Sequence, residues 1–183
     1  MATEKGERRR QALTEAAGEL LREGGFDAIR HRAVAERAGL PLASTTYYFD
    51  SLDDLVTAAV EHTSRQDLAA GRAALDSADE PLDVVLDQLL GHGSREGGLD
   101  AVLLRYEQLV GAGRRPYLAP LMRKLRVELD GLLAEALARA GHRLDADGLR
   151  RVVEVVDGAV ISALIEAHPD PRGTARAALL RSL

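Results

Sequence analysis

The sequence predicts an all-α chain of about nine helices: an N-terminal three-helix unit over residues 1–50, followed by a larger helical domain over residues 51–183. Three observations carry this. Apolar residues recur at helical spacing almost throughout, and no run with a period of two survives inspection. The 183 residues include only six aromatics, two Phe and four Tyr. The core must therefore come from Leu, Ala and Val, a composition that favours helices. The third is size, since a chain of this length buries roughly 70% of its unfolded surface and needs no covalent staples.

The elements follow in order. Arg8 to Glu23 sets Ala12, Leu13, Ala16, Ala17, Leu20 and Leu21 on one stripe, and Gly24-Gly25 stops it. Ala33 to Ala38 is a short helix ended by Gly39, Pro41 fits the turn, and Ala43 to Phe49 makes two more turns. Ser51 is an N-cap with Asp54 three residues on, a capping-box spacing. A long helix then runs from Leu52 towards Leu75, broken by Ser77-Ala78-Asp79-Glu80-Pro81. Leu82 to Leu90 is next, then the glycine-rich connector Gly91 to Gly98. The connector lacks both a preceding strand and a Gly-Lys-Ser/Thr signature, so it is read as a flexible link and not a phosphate loop. Leu99 to Val110 and Pro116 to Ala140 are helical. Asp145 or Asp147 caps Leu149 to Ala167, and Arg172 to Leu183 is a last, frayed helix.

Composition excludes several function classes. Without cysteine there are no disulfides, thiol nucleophiles or cysteine-ligated metals. Five histidines, His31, His62, His92, His142 and His168, form no recognised metal motif, and no metal or other cofactor is expected. No nucleophile elbow, Walker sequence or deaminase signature is present, so enzymatic activity is not expected. No stretch approaches 18 apolar residues and Met1 to Arg10 lacks a signal-like apolar segment; a cytoplasmic protein with no membrane partner is the expectation. The net charge is −5, yet residues 1–50 carry eight Lys/Arg and eight Asp/Glu, leaving sixteen against twenty-one for the rest. That balance argues against charge-driven, non-specific nucleic-acid binding and leaves a locally basic surface open.

Ile29 to Phe49 has the layout of a helix-turn-helix. Ala35 is the small residue where two helices cross, Gly39 tolerates positive φ at the turn, and Val34, Ala38, Leu40 and Tyr48 face inwards. Tyr47-Tyr48-Phe49 sets half of the aromatics on a helix too short to bury three rings. Phe49, and in part Tyr48, glue the unit together, leaving Tyr47 to donate to a phosphate.

Gly25-Phe26-Asp27-Ala28-Ile29, Val34 to Leu40 and Ser44 to Leu55 together resemble the N-terminal region of TetR-family transcriptional regulators, without gaps from about Arg8 to Val60. The resemblance implies a three-helix DNA-binding domain on a helical ligand-binding and dimerisation domain. It implies that Leu42, Ala43, Ser44 and Thr46 reach base edges of double-stranded operator DNA. Leu42, Ala43 and the threonine methyl would meet thymine, and Ser44 would hydrogen-bond. Tyr47, Arg32 and Arg8 to Arg10 would meet the backbone, with Tyr48 a further DNA-binding candidate. Two departures stand out: Leu52 occupies the usual position of a phosphate-binding Lys, and Arg30 that of a helix-capping Thr.

Effector binding is implied for the middle helices, with His62, Arg105, Tyr106, Gln108, Leu109, Tyr117 and Met122 as candidates for a small molecule of unknown identity. Each has a plainer reading, Tyr106 as a core ring and Met122 as filler. Leu149 to Ala167 is apolar around much of its girth, with Gly158 permitting close approach, which suits the homodimer the resemblance implies. The function expected is a ligand-responsive regulator, a repressor released by its effector. The alternative is a helical partner-binding module on the same scaffold that has lost operator binding.

Overall fold

The computed structural model describes residues 4–77 and 80–183; Met1–Thr3 and Ala78–Asp79 lie outside them, and with them part of the break expected at Ser77–Pro81. Among the described residues there are nine α-helices and no strand, as the periodicity predicts. They are α1 (Glu4–Gly24), α2 (His31–Arg37), α3 (Leu42–Tyr48), α4 (Leu52–Ser77), α5 (Pro81–Leu90), α6 (Gly98–Gly113), α7 (Ala119–Arg139), α8 (Ala146–Ile165) and α9 (Pro171–Ser182). Three short 3-10 turns, Phe26–Ala28, His92–Arg95 and Pro116–Leu118, complete the inventory.

The chain divides into two compact units. The first takes in the chain through Gln66 together with Gln108–Met122, and the second Asp67–Glu107 with Arg123–Leu183. In the first, Leu13, Ala17 and Leu21 of α1, Val34 of α2, Phe49, and Leu55 and Ala59 of α4 form one core with Ala112 and Leu118. The segment from α6 to α7 is therefore part of the same core as the helix-turn-helix. It is held there by Gln108, whose amide donates to the Leu21 carbonyl at 2.7 Å. Arg115 adds to this with its guanidinium 4.0 Å from the Phe26 ring centroid.

In the second unit α8 and α9 pack along each other, with Val156, Val160, Ala175, Ala178 and Leu179 fully buried. Leu86, Leu90, Leu133 and Leu137 bury their side chains from α5 and α7. Gly71 on α4 leaves room for the end of the Gln88 side chain, which a Cβ there would displace. Gln88 in turn donates to the Asp67 carbonyl at 3.2 Å.

Four expectations change in detail. The connector after α5 is an ordered 3-10 turn and not a loose link. Arg95 donates from Nε and Nη2 to the Asp87 carboxylate at 3.0 and 2.7 Å, while Ser94 is buried and accepts from Arg172 at 2.8 Å. The helix expected from Pro116 is a turn followed by a fresh start at Ala119. A continuous helix would press the Pro120 ring against the carbonyl of Pro116 and leave that carbonyl without its donor. The helix expected to reach Ala167 stops at Ile165, with Ala167 turned to φ 50°. The last helix is not frayed: Asp170 caps it by accepting from the Gly173 amide at 2.7 Å, and its inner face is buried. Of the two candidate caps on α8, Asp145 is the one used, accepting from the Gly148 amide at 2.7 Å.

Candidate nucleic-acid interface and effector region

The turn between α2 and α3 is built by one glycine. Gly39 sits at φ 63°, where a side chain is strained, and this lets its amide reach the Glu36 carbonyl while the Leu40 amide reaches Ala35. Ala35 is buried, so the helices approach across a methyl group. Pro41 then holds extended backbone and α3 begins at Leu42. The expected cap on α4 forms, with the Asp54 amide donating to Ser51 Oγ at 3.1 Å. Arg30 makes no capping hydrogen bond to α2, and instead its Nε donates to the Asp27 carbonyl at 3.2 Å.

The faces of α3 separate sharply. Thr45 is fully buried and its hydroxyl donates to the Leu42 carbonyl at 2.8 Å. Phe49 is 3% exposed, Tyr48 half-buried and Tyr47 80% exposed, the two tyrosine rings meeting edge-on at 4.8 Å. Leu42 is 52% exposed, Ala43 and Thr46 are exposed, and Ser44 is half-buried. One short helix thus turns an apolar and aromatic surface to solvent, which burial alone would disfavour.

The cations around it are deployed unequally. Arg37 is bound to Glu23 at 2.7 Å and Glu19 at 3.1 Å, tying α2 to α1. Those hydrogen bonds, that to Glu23 foremost, hold Arg37 protonated well beyond its ordinary range and pull Glu23 below its own. Arg10 lies 5.2 Å from the Phe49 ring centroid, in a cleft of about 300 Å³ walled by Tyr48, Asp50, Asp54 and Glu61. Among the described residues Arg8 and Arg32 pair with Glu4 and Glu36, both at 3.5 Å and both solvent-exposed. Such pairs are worth little, so both arginines are available to a phosphate. Leu52 is exposed at the start of α4.

The seven effector candidates are divided between the units. Arg105 and Tyr106 belong to the second; His62, Gln108, Leu109, Tyr117 and Met122 belong to the first. Tyr106 is 7% exposed and donates its hydroxyl to Asp157 Oδ1 at 2.7 Å. Burial, then that carboxylate, pushes the phenol far above its ordinary range. Arg105 lies 4.0 Å from Asp67, and its buried Nε has no hydrogen-bond acceptor among the described residues. Gln108 is committed to Leu21, and Met122 packs on the first unit's core as the filler reading had it. His62 is half-buried near Gly18, and Leu109 is exposed. The Tyr117 hydroxyl is raised above its usual range by burial, then by Asp53. Sequence reasoning missed Asp157, since a partner 51 residues away leaves no local signal, and missed the Arg115–Phe26 contact for the same reason. Among the described residues no group of three or more His, Asp or Glu could hold a metal ion, and no helix is long and apolar enough to cross a membrane.

With that geometry in place, similarity to known proteins becomes decisive. Residues 13–59 match the family model for bacterial regulatory proteins of the tetR family. Residues 76–183 match that for the tetracyclin repressor-like C-terminal domain. The chain belongs to the TetR family. Solved structures agree along nearly the whole length. The multidrug binding protein EbrR in complex with malachite green is 35% identical, with a TM-score of 0.62 over 96% of this chain and 98% of that one. The proflavin complex of EbrR is 32% identical, with a TM-score of 0.69 and coverages of 96% and 99%. A TetR-family member from Streptomyces coelicolor A3 is 32% identical, with a TM-score of 0.59 and coverages of 96% and 98%. Among curated proteins none matches. Membership makes this TetR-family chain a transcription regulator that acts by binding DNA.

Proposed function

We propose that the chain is a ligand-responsive repressor that works as a homodimer on a two-fold operator and is released from it by a small molecule. DNA binding is assigned to residues 1–50 and effector binding and dimerisation to 51–183, in the cytoplasm. The observation that carries the reading is the outward face of α3, where Leu42, Ala43, Thr46 and Tyr47 stand in solvent on a helix held rigidly from behind. Dimerisation is supported by α8, whose Val155, Ile161 and Ile165 are exposed and whose Gly158 has open space where a Cβ would be. A second copy is the partner that such a face on a family member calls for.

Effector binding centres on Tyr106, Arg105 and Asp157. Asp157 has a hydrogen bond from Tyr106 and no ion pair among the described residues, so a carboxylate stands beside an aromatic ring, with the Arg105 guanidinium near enough to act on the phenol. Cationic aromatic molecules suit that chemistry. EbrR, a multidrug binding protein, has been solved with malachite green and proflavin bound, and the identity of about a third supports the same class here. The molecule would favour the conformation that mismatches the operator, and operator DNA must then weaken ligand binding by the same factor.

The test is anisotropy of labelled promoter DNA from beside the protein's own gene, titrated with malachite green. Release of the DNA at dye concentrations that also saturate the free protein supports the reading, with Tyr106→Ala weakening both. DNA binding indifferent to dye, with no dye bound to the protein, contradicts the effector class and leaves the operator-binding half standing.

A further inference from the structure

The outward face of α3 holds more information than DNA binding as such. Hydrogen-bonded readout of a base needs a long polar side chain, Arg or Lys to guanine, Asn or Gln to adenine, in bidentate geometry. None stands on this helix, whose sequence is Leu-Ala-Ser-Thr-Thr-Tyr-Tyr. Its hydroxyls are largely spent inwardly: Thr45 is buried and bonded to Leu42, and Thr46 Oγ1 donates to the Ala43 carbonyl at 3.3 Å. With its hydroxyl turned to the helix, Thr46 offers its methyl group. The neighbouring arginines do not make good the deficit. Arg37 is locked to α1, Arg30 is bonded to the Asp27 carbonyl, and Arg32 stands on α2.

We infer that this protein reads its operator chiefly through the C5-methyl groups of thymine, packed against Leu42, Ala43 and the Thr46 methyl. Half-buried Ser44 supplies the one short hydroxyl beside them. Each half-site then has thymines where α3 enters the major groove, on either strand, and no obligatory guanine there. The physical basis is that thymine alone among the four bases presents an apolar group in that groove. Burying one methyl against an exposed leucine changes affinity by about fourfold. Several together give real discrimination with no bidentate contact, and the backbone contacts of Tyr47 and Arg32 set the register.

The inference rests on operator binding by α3, so its test begins by securing that. A random duplex pool is taken through rounds of selection with the purified protein, and the enriched duplex is resynthesised with uracil replacing each thymine in turn. Uracil keeps every hydrogen-bonding group and lacks only the methyl. The expected result is a loss of about fourfold at two or more positions in each half-site. In Leu42→Ala or Thr46→Ser the loss disappears at the position each side chain covers, while the remaining positions keep theirs. Both residues are exposed, so the variants test contact and not folding. An enriched duplex bound equally well with uracil throughout, or one with invariant guanine under α3, overturns methyl readout and leaves operator binding intact. A pool from which nothing is enriched overturns both.

Discussion

Tyr106 donates its hydroxyl to Asp157 from a site that is almost dry, so ionising it would set two negative charges together away from water. Its pKa in the folded chain lies well above the ordinary 10.0. In the unfolded chain the phenol titrates near 10, so above that pH the unfolded state loses a proton that the folded state keeps. The stabilisation is therefore complete below about pH 10 and lost as pH rises towards the folded value. Tyr106→Phe should cost about 1 kcal/mol at pH 8, from the lost hydrogen bond. It should also flatten the decline in stability between pH 9 and 11, measured by urea unfolding. Equal slopes for the two proteins would contradict the raised pKa. The sequence marks Tyr106 as an aromatic on a helix face, but not its partner, since only the folded chain brings α6 against α8. Tyr47, Tyr48 and Phe49 were more legible, because three rings on seven residues must divide between core and solvent.

At the level of elements, what the sequence reveals depends on whether the signal is local. Helix type and order follow from periodicity, and Gly39 and Ser51 each mark a boundary by chemistry that needs no distant partner, while the break before Ala119, which Pro120 enforces, went unread in a helix expected from Pro116. The connector between α5 and α6 looked loose because its order comes from afar. Asp87, 3% exposed, accepts from Arg95 at 2.7 Å and from Arg172 of α9 at 2.8 Å. Asp83 adds Arg176 at 2.9 Å. One buried carboxylate thus fastens both the connector and the last helix, adding to the Asp170 cap and the buried inner face that keep α9 from fraying. Asp87→Ala should cost about 3 kcal/mol, near the low end for a broken buried pair because Arg95 can turn to water. The measurement is the urea midpoint, and increased proteolysis near α9 should accompany the loss. Ala167 offers the opposite case. It closes α8 at φ 50°, with its amide bonded to the Leu164 carbonyl and the His168 amide to Ala163, a position made for glycine. Ala167→Gly should stabilise the protein by about 0.5–1 kcal/mol, despite the greater freedom of an unfolded glycine. A destabilised variant would mean that this strain is absent.

For the whole molecule, family membership and the helical fold account for DNA-linked regulation, while assembly and operator geometry are proposals built on exposed faces. Ile165 is 80% exposed at the end of α8, in line with Val155, Gly158 and Ser162. Because it stands in solvent in the single chain, Ile165→Asp should leave folding unchanged and convert a dimer to a monomer, measured by sedimentation velocity. A variant that stays dimeric places the interface elsewhere. The N-terminal region was the most legible part of the chain because its turn, its cap and its buried ring are signalled by residues only a few positions apart. The effector candidates were least legible: the seven are split between two compact units, and Gln108 and Met122 are engaged in the first unit's packing.

The central claim is that a dimer sets two copies of α3 on a two-fold operator, and selection from a random duplex pool tests it most directly. The account predicts enrichment of one pseudo-palindrome whose half-sites lie about 34–36 Å apart or a multiple of that. Binding should weaken as salt is raised, survive excess unrelated DNA, and be lost in Tyr47→Ala with folding unchanged. Failure to enrich any sequence, or enrichment of a single asymmetric site bound equally well by Tyr47→Ala, would contradict it.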